Sequence, residues 1–148
     1  MGPRSVTNAT YTSRGHPAPE HGARPRHRAR HERAIEIDLA IETLTEEQRT
    51  ILRVTGELDL FTAPRLREAV VEATEAGVTN VIVNLDGVSF IDSSGLGVLV
   101  ACLKRLRERD GSFAVVAGET SSLHKLLALT GLDGFLPTFT SLEAARSG

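Results

Sequence analysis

The stretch Val78–Gly97, VTNVIVNLDGVSFIDSSGLG, joins a buried-looking strand to the start of a helix. Val78–Leu85 is nearly continuous in aliphatic and β-branched residues, which is typical of a central strand covered on both faces. A helix is predicted from about Ser94 to Arg109, because apolar residues recur there at helical spacing. Its predicted buried stripe consists of Leu96, Leu99, Val100, Leu103 and Leu106.

The junction places Asp92, Ser93 and Ser94 at the positively polarised start of that helix. Asp and Ser are preferred N-cap residues, so these side chains could simply cap the helix. The free N–H groups and the helix dipole also favour negative charge, so a serine here could carry a phosphate. Gly95 is expected to leave room for a partner that approaches the serines, and Gly97 to permit close backbone packing.

A hairpin is predicted before this region. Period-two alternation over residues 35–41 indicates a strand with one buried face. The larger aliphatic residues Ile35, Ile37, Leu39 and Ile41 alternate there with Glu36, Asp38 and Ala40. Thr43–Gln48 is polar and is interpreted as the turn, and Ile51–Thr55 as the second strand, which ends at Gly56. The short connection favours antiparallel pairing.

Strands and helices then alternate to the end of the chain. A helix capped by Thr62, with Pro64 in its first turn, would bury one apolar face and stop at Gly77. That face comprises Leu66, Ala69, Val70 and Ala73. The later predicted elements are a strand over 113–117, a helix from Ser121 or Ser122 to Gly131, a short strand near 135–139 and a helix near 142–146. This order predicts an α/β fold, a small mixed, mostly parallel sheet with helices packed against it.

Composition divides the 148 residues into two parts. Residues 1–33 hold seven arginines and two glutamates, a net +5, and are predicted to be a disordered basic tail because they contain almost no aliphatic side chains. Residues 34–148, the predicted folded domain, carry a net −7, which together with the +5 of the tail gives the −2 of the whole chain. The acidic charge of this domain argues against direct nucleic-acid binding. The single cysteine, Cys102, the absence of a membrane-length apolar run and the absence of a secretory pattern together favour a cytoplasmic location.

A catalytic role for the serines is disfavoured. A nucleophilic serine needs a base and an oxyanion site, and the Gly-x-Ser-x-Gly pattern is absent. His124 is the one histidine beyond the tail, and no phosphate-cradling glycine motif with its lysine is present. The sequence therefore predicts no intrinsic catalysis and no bound cofactor or metal.

Two motifs carry a family resemblance. Gly56–Asp59 (GELD) and Asn84–Gly97 (NLDGVSFIDSSGLG) resemble the STAS domain family and, more narrowly, the bacterial anti-sigma factor antagonists, over roughly residues 35–146. The resemblance implies that the unphosphorylated protein binds an anti-sigma factor serine kinase and so releases a sigma factor. It further implies that the kinase phosphorylates Ser93 and not Ser94, and that a phosphatase reverses this. The implied partner-binding residues are Asp59, Asp92, Ser93, Ser94, Gly95 and Leu96.

Alternatives to this switch stay open at the level of sequence. A stand-alone STAS subunit of a transport or stress-signalling complex would share the motifs. A serine hydrolase is a further alternative to the phosphorylation switch. Acidic residues near the motifs, Glu57, Asp59, Asp86 and Asp92, would suit a partner that presents Arg or Lys. The same acids could equally be solvated turn residues.

Overall fold

A computed structural model describes residues 5–7 and 38–148 of the chain. The elements run in the order β1 (Ser5–Thr7), β2 (Leu39–Glu46), β3 (Arg49–Leu58), α1 (Ala63–Glu75), β4 (Asn80–Ile91), α2 (Ser93–Glu108), β5 (Ser112–Val116), α3 (Ser122–Thr130), β6 (Thr138–Phe139) and α4 (Leu142–Ser147). Residues 35–37 of the predicted first strand and most of the predicted basic tail lie outside the described residues. Within that tail, Ser5–Thr7 form a short strand.

The described strands form one sheet in the order β1-β2-β3-β4-β5-β6. β1, β2 and β3 pair antiparallel, whereas β3 to β6 pair parallel. Helices connect the parallel strands, because a parallel pair cannot be joined by a tight turn. The predicted α/β architecture, a mixed and mostly parallel sheet with helices against it, is confirmed.

The two faces of the sheet are covered unequally. The larger core lies between one face and helices α1, α2 and α3, and it includes Leu66, Leu99 and Leu127. On the opposite face Ile51, Ile82 and Val116 pack with Ala145 of α4. Cys102 lies in the larger core at 2% exposure, and burial raises the pKa of its thiol to about 12. The thiol therefore acts as an apolar core group.

The predicted turn at Thr43–Gln48 is wrong in its extent. β2 continues to Glu46 and β3 begins at Arg49, so only Glu47 and Gln48 remain between them. Residues 43–46 continue the strand because they pair with β3. In addition, Leu44 packs with the second core, and Arg146 of α4 bonds to Glu46 at 3.0 Å. Local polarity could not reveal either contact.

β4 is longer than the apolar run that predicted it, since it extends to Ile91. Its second half pairs with the end of β3, as Gly56↔Val88 and Leu58↔Ile91, beyond an irregularity in the register. This extension carries both motifs to the same end of the sheet. The Asp92–Gly97 helix start therefore lies directly beside the end of the GELD strand.

Candidate functional site

The start of α2 is capped by Asp92. Its Oδ1 accepts hydrogen bonds from the N–H groups of Ser94, at 2.9 Å, and Gly95, at 3.0 Å. These bonds satisfy two of the donors that a helix leaves without intrahelical partners at its N-terminus. The serine hydroxyls are therefore not needed as caps. The sequence left open whether the serines cap the helix or carry a phosphate, and in the structure Asp92 supplies the cap.

Ser93 is the first residue of α2 and is exposed, whereas Ser94 is half-buried. Within the described chain, no side-chain hydrogen bond of Ser93 occurs, so its hydroxyl is available to solvent or to a partner. A modification of Ser93 would break no bond among the described residues. Ser94 contributes its N–H to the Asp92 cap, which ties its backbone into the helix start.

The two glycines of the motif have the opposite roles to those predicted. Gly95 is buried, and a β-carbon there would lie 2.7 Å from the Leu58 carbonyl oxygen and 2.9 Å from Ile91 Cγ1. Gly97 is exposed, and outside its chain neighbours and its own helix backbone no described atom lies within 4 Å of its β-position. Gly95 thus permits close packing of α2 on β3, and Gly97 leaves open surface. Leu96, at 4% exposure, also points into the core.

The GELD segment ends β3 in a tightly bonded turn. Asp59 Oδ1 accepts from the N–H groups of Phe61, at 2.9 Å, and Thr62, at 3.0 Å. Thr62 was predicted to cap α1, but its hydroxyl makes no such bond. It donates to the Glu57 carbonyl at 2.7 Å and accepts from the Asp59 N–H at 2.9 Å. Asp59 is half-buried, and its carboxylate organises this turn.

Gly56 begins the segment with a backbone conformation that suits glycine. Its φ is +112°, and a β-carbon would collide with the Asp38 carbonyl. The following N–H, of Glu57, donates to that same carbonyl at 2.8 Å. The glycine therefore keeps the ends of β2 and β3 together while Glu57 remains exposed.

The two motifs meet through backbone contacts. The Asp92 N–H donates to the Leu58 carbonyl at 3.3 Å, and Gly95 packs against the same residue. Ser93 is thus held beside the turn that contains Asp59. The structure brings Asp59, Asp92, Ser93 and Ser94 to one end of the molecule, with Gly95 and Leu96 buried beneath them.

Sequence reasoning missed three exposed apolar side chains at this end. Leu60 is 62% exposed, Phe61 is 80% exposed and Phe90 is 46% exposed. Leu60 and Phe61 follow Asp59 in the turn, and Phe90 lies opposite Glu57 in the β3–β4 pairing. The signal was present in the sequence: an apolar pair follows GELD just before Thr62 and Pro64 open a helix.

The described residues form no hydrolase-like or metal site. No hydrogen bond joins Ser93 to His124 or to another described side chain, so a nucleophile–base pair is not assembled there. His124 lies in α3, where its Nε2 is buried with no partner in the described chain. Residues 38–148 hold no group of three or more His, Cys, Asp or Glu placed to bind a metal. None of the described helices is long and apolar enough to cross a membrane.

Comparisons with known proteins agree with this fold. An anti-sigma-B factor antagonist of Staphylococcus aureus is 36% identical over 96 residues, which are 65% of this chain and 88% of the relative. One from Staphylococcus epidermidis is 38% identical over the same shares. The crystal structure of an anti-sigma factor antagonist from Mycobacterium paratuberculosis has a TM-score of 0.66 and 28% identity, over 74% of this chain and 92% of that one. The sequence model of the STAS domain matches residues 40–145, and the chain belongs to the STAS domain family.

Proposed function

We propose that this protein is an anti-sigma factor antagonist whose unphosphorylated form binds an anti-sigma factor serine kinase and thereby releases a sigma factor. Phosphorylation of Ser93 switches this binding off, and a phosphatase restores it. The observation that carries the proposal is the exposed Ser93 hydroxyl at the start of a helix that Asp92 already caps. The names of the Staphylococcus aureus and Mycobacterium paratuberculosis relatives support the same role.

A phosphate on Ser93 would act on the partner and leave the fold intact. It adds about −1.5 to −2 charges. At a helix N-terminus the dipole term favours that charge by about 0.3–1 kcal/mol, so α2 would not melt. A partner fitted to a small neutral hydroxyl would instead meet a bulky dianion beside Asp92. We expect affinity to fall roughly 10- to 1000-fold.

The acidic surroundings suit a partner that presents Arg or Lys. Glu57 is exposed, and Asp59 and Asp92 are half-exposed at this end of the molecule, whereas Asp86 lies mid-strand in a groove that Glu42 and Arg53 also line. The proposed contact surface contains Asp59, Asp92, Ser93 and Ser94, with the buried Gly95 and Leu96 holding the helix in place. The kinase supplies ATP and the base, so this chain needs no catalytic group or cofactor of its own. We place this exchange in the cytoplasm, without direct contact to nucleic acid.

The first test is phosphorylation by candidate kinases. The purified protein is incubated with ATP and each anti-sigma factor of the same cell, and intact mass is followed by site mapping. One added phosphate is expected on Ser93, present in Ser94→Ala and absent in Ser93→Ala. Phosphate mapped to Ser94 instead would contradict the assignment.

The second test is binding without ATP. Ser93→Ala should bind the kinase as wild type does, and Ser93→Asp should bind more weakly while melting at the same temperature or slightly higher. Equal affinity of Ser93→Asp and wild type would refute the switch. Neither phosphate nor binding across the kinase set would favour the stand-alone STAS subunit of a transport or stress-signalling complex.

A further inference from the structure

Leu60 and Phe61 expose apolar side chains at a single point on the surface. Both lie between β3 and α1, and they are 62% and 80% exposed. Phe90, 46% exposed, lies on the adjoining end of β4. Single exposed apolar residues are ordinary on protein surfaces, but two adjacent and largely exposed ones form an apolar patch that suits contact with a partner.

The turn that presents this pair is fixed by hydrogen bonds. Asp59 Oδ1 holds the N–H groups of Phe61 and Thr62, and the Thr62 hydroxyl ties the Glu57 carbonyl to the Asp59 N–H. The Ala63 N–H also donates to the Asp59 carbonyl at 2.8 Å. A backbone that is already ordered loses little conformational freedom when it binds, so the pair is preorganised for contact.

The pair adjoins the proposed phosphorylation site. Leu58, two residues before Leu60, accepts a hydrogen bond from the Asp92 N–H and packs against Gly95. Ser93 follows Asp92 directly. A partner that covers Ser93 would therefore also meet the turn.

We propose that Leu60 and Phe61 are the apolar anchor of the interface with the anti-sigma factor, inserted in an apolar pocket of that kinase beside its phosphate-transfer site. This inference rests on the proposed function and adds the chemistry of the partner: an apolar pocket bordered by Arg or Lys. Arg or Lys residues are expected around the pocket because Glu57, Asp59 and Asp92 place acidic side chains around the turn. Central aromatic and apolar anchors dominate binding energy in many interfaces, while charges at the rim contribute less.

The test measures affinity for the kinase that phosphorylates Ser93, without ATP, by titration calorimetry. Phe61→Ala and the double variant Leu60→Ala/Phe61→Ala should bind roughly 10- to 100-fold more weakly than wild type. The loss should be similar at low and high salt, because burial of apolar surface is screened far less than charge pairing. Leu129→Ala is the matched control, since Leu129 is an exposed leucine on α3, 83% exposed. It should bind within two-fold of wild type.

Unchanged thermal unfolding of each variant would show that the turn still folds. A double variant that binds within about two-fold of a wild type that itself binds and is phosphorylated would overturn the anchor alone. A wild type that neither binds nor is phosphorylated by any kinase in the set would overturn both the anchor and the proposed function.

Discussion

Replacing Gly95 by alanine would place a methyl group where the fold has no space for one. The new β-carbon would lie 2.7 Å from the Leu58 carbonyl oxygen, 2.9 Å from Ile91 Cγ1 and 3.0 Å from Leu58 Cγ. The nearest of these atoms belongs to the backbone of β3, so it cannot move aside by a simple side-chain rotation. α2 must shift away from the sheet, and Ser93 with it.

Two terms of opposite sign set the magnitude. Overpacking of this kind costs about 1–3 kcal/mol, whereas a helical glycine-to-alanine change recovers about 0.5–1 kcal/mol. We expect Gly95→Ala to lower the free energy of unfolding by up to about 2.5 kcal/mol. Outside its chain neighbours and its own helix backbone, Gly97→Ala meets no described atom within 4 Å, so only the favourable term applies. It should raise stability by about 0.5–1 kcal/mol.

The assay is urea unfolding followed by far-UV circular dichroism for wild type and both variants. The two alanines lie two positions apart in one helix, so their opposite signs isolate the packing contact from helix propensity. One kcal/mol also corresponds to roughly 4–8 °C in a domain of about 100 residues, so melting curves give a second measure. A Gly95→Ala variant as stable as Gly97→Ala would refute the reasoning.

Two further predictions concern buried groups. Thr62→Val keeps the shape of a residue that is 2% exposed but leaves the Asp59 N–H and the Glu57 carbonyl without its hydroxyl, which should cost about 1–3 kcal/mol in urea unfolding. Thr62→Ser retains the hydroxyl and should lose less; equal losses would contradict the role assigned to these bonds. Burial raises the pKa of Cys102 from 9.0 to about 12, so above pH 9 the unfolded chain releases a proton that the folded chain keeps. Stability should therefore fall as pH rises from about 9 towards 12, by up to ~1.4 kcal/mol per pH unit; Cys102→Ala should lack this contribution, and parallel pH profiles would rule it out.

Local pattern was sufficient where a contact lies within one element. The α2 stripe and a third helix from Ser121 or Ser122 to Gly131 were predicted from spacing, caps and stop residues. The structure has Ser121 as N-cap and Gly131 in the left-handed conformation. The extent of β2 was not predictable in this way. Three of the residues 43–46 are polar, and they form a strand because they pair with β3 in the hairpin, while Arg146, distant in sequence, bonds to Glu46.

The candidate site divides in the same manner. Asp92, Ser93 and Ser94 were located by the helix start that they form. The burial of Leu96 agrees with its place in the predicted helix stripe, whereas the exposure of Leu60 and Phe61 depends on how the turn after β3 is held. Spacing alone does not report which side of a turn faces solvent.

The sequence by itself determined the class of the fold and the position of the serine motif, because hydrophobic periodicity and helix capping act over a few residues. Only the tertiary structure decided that Gly95 is packed and Gly97 is open. The two glycines lie two residues apart on the same helix, and what distinguishes them is the end of β3, more than thirty positions earlier in the chain. The close approach of α2 to Leu58 is a long-range contact, and it is this contact that places Ser93 beside the Leu60–Phe61 turn.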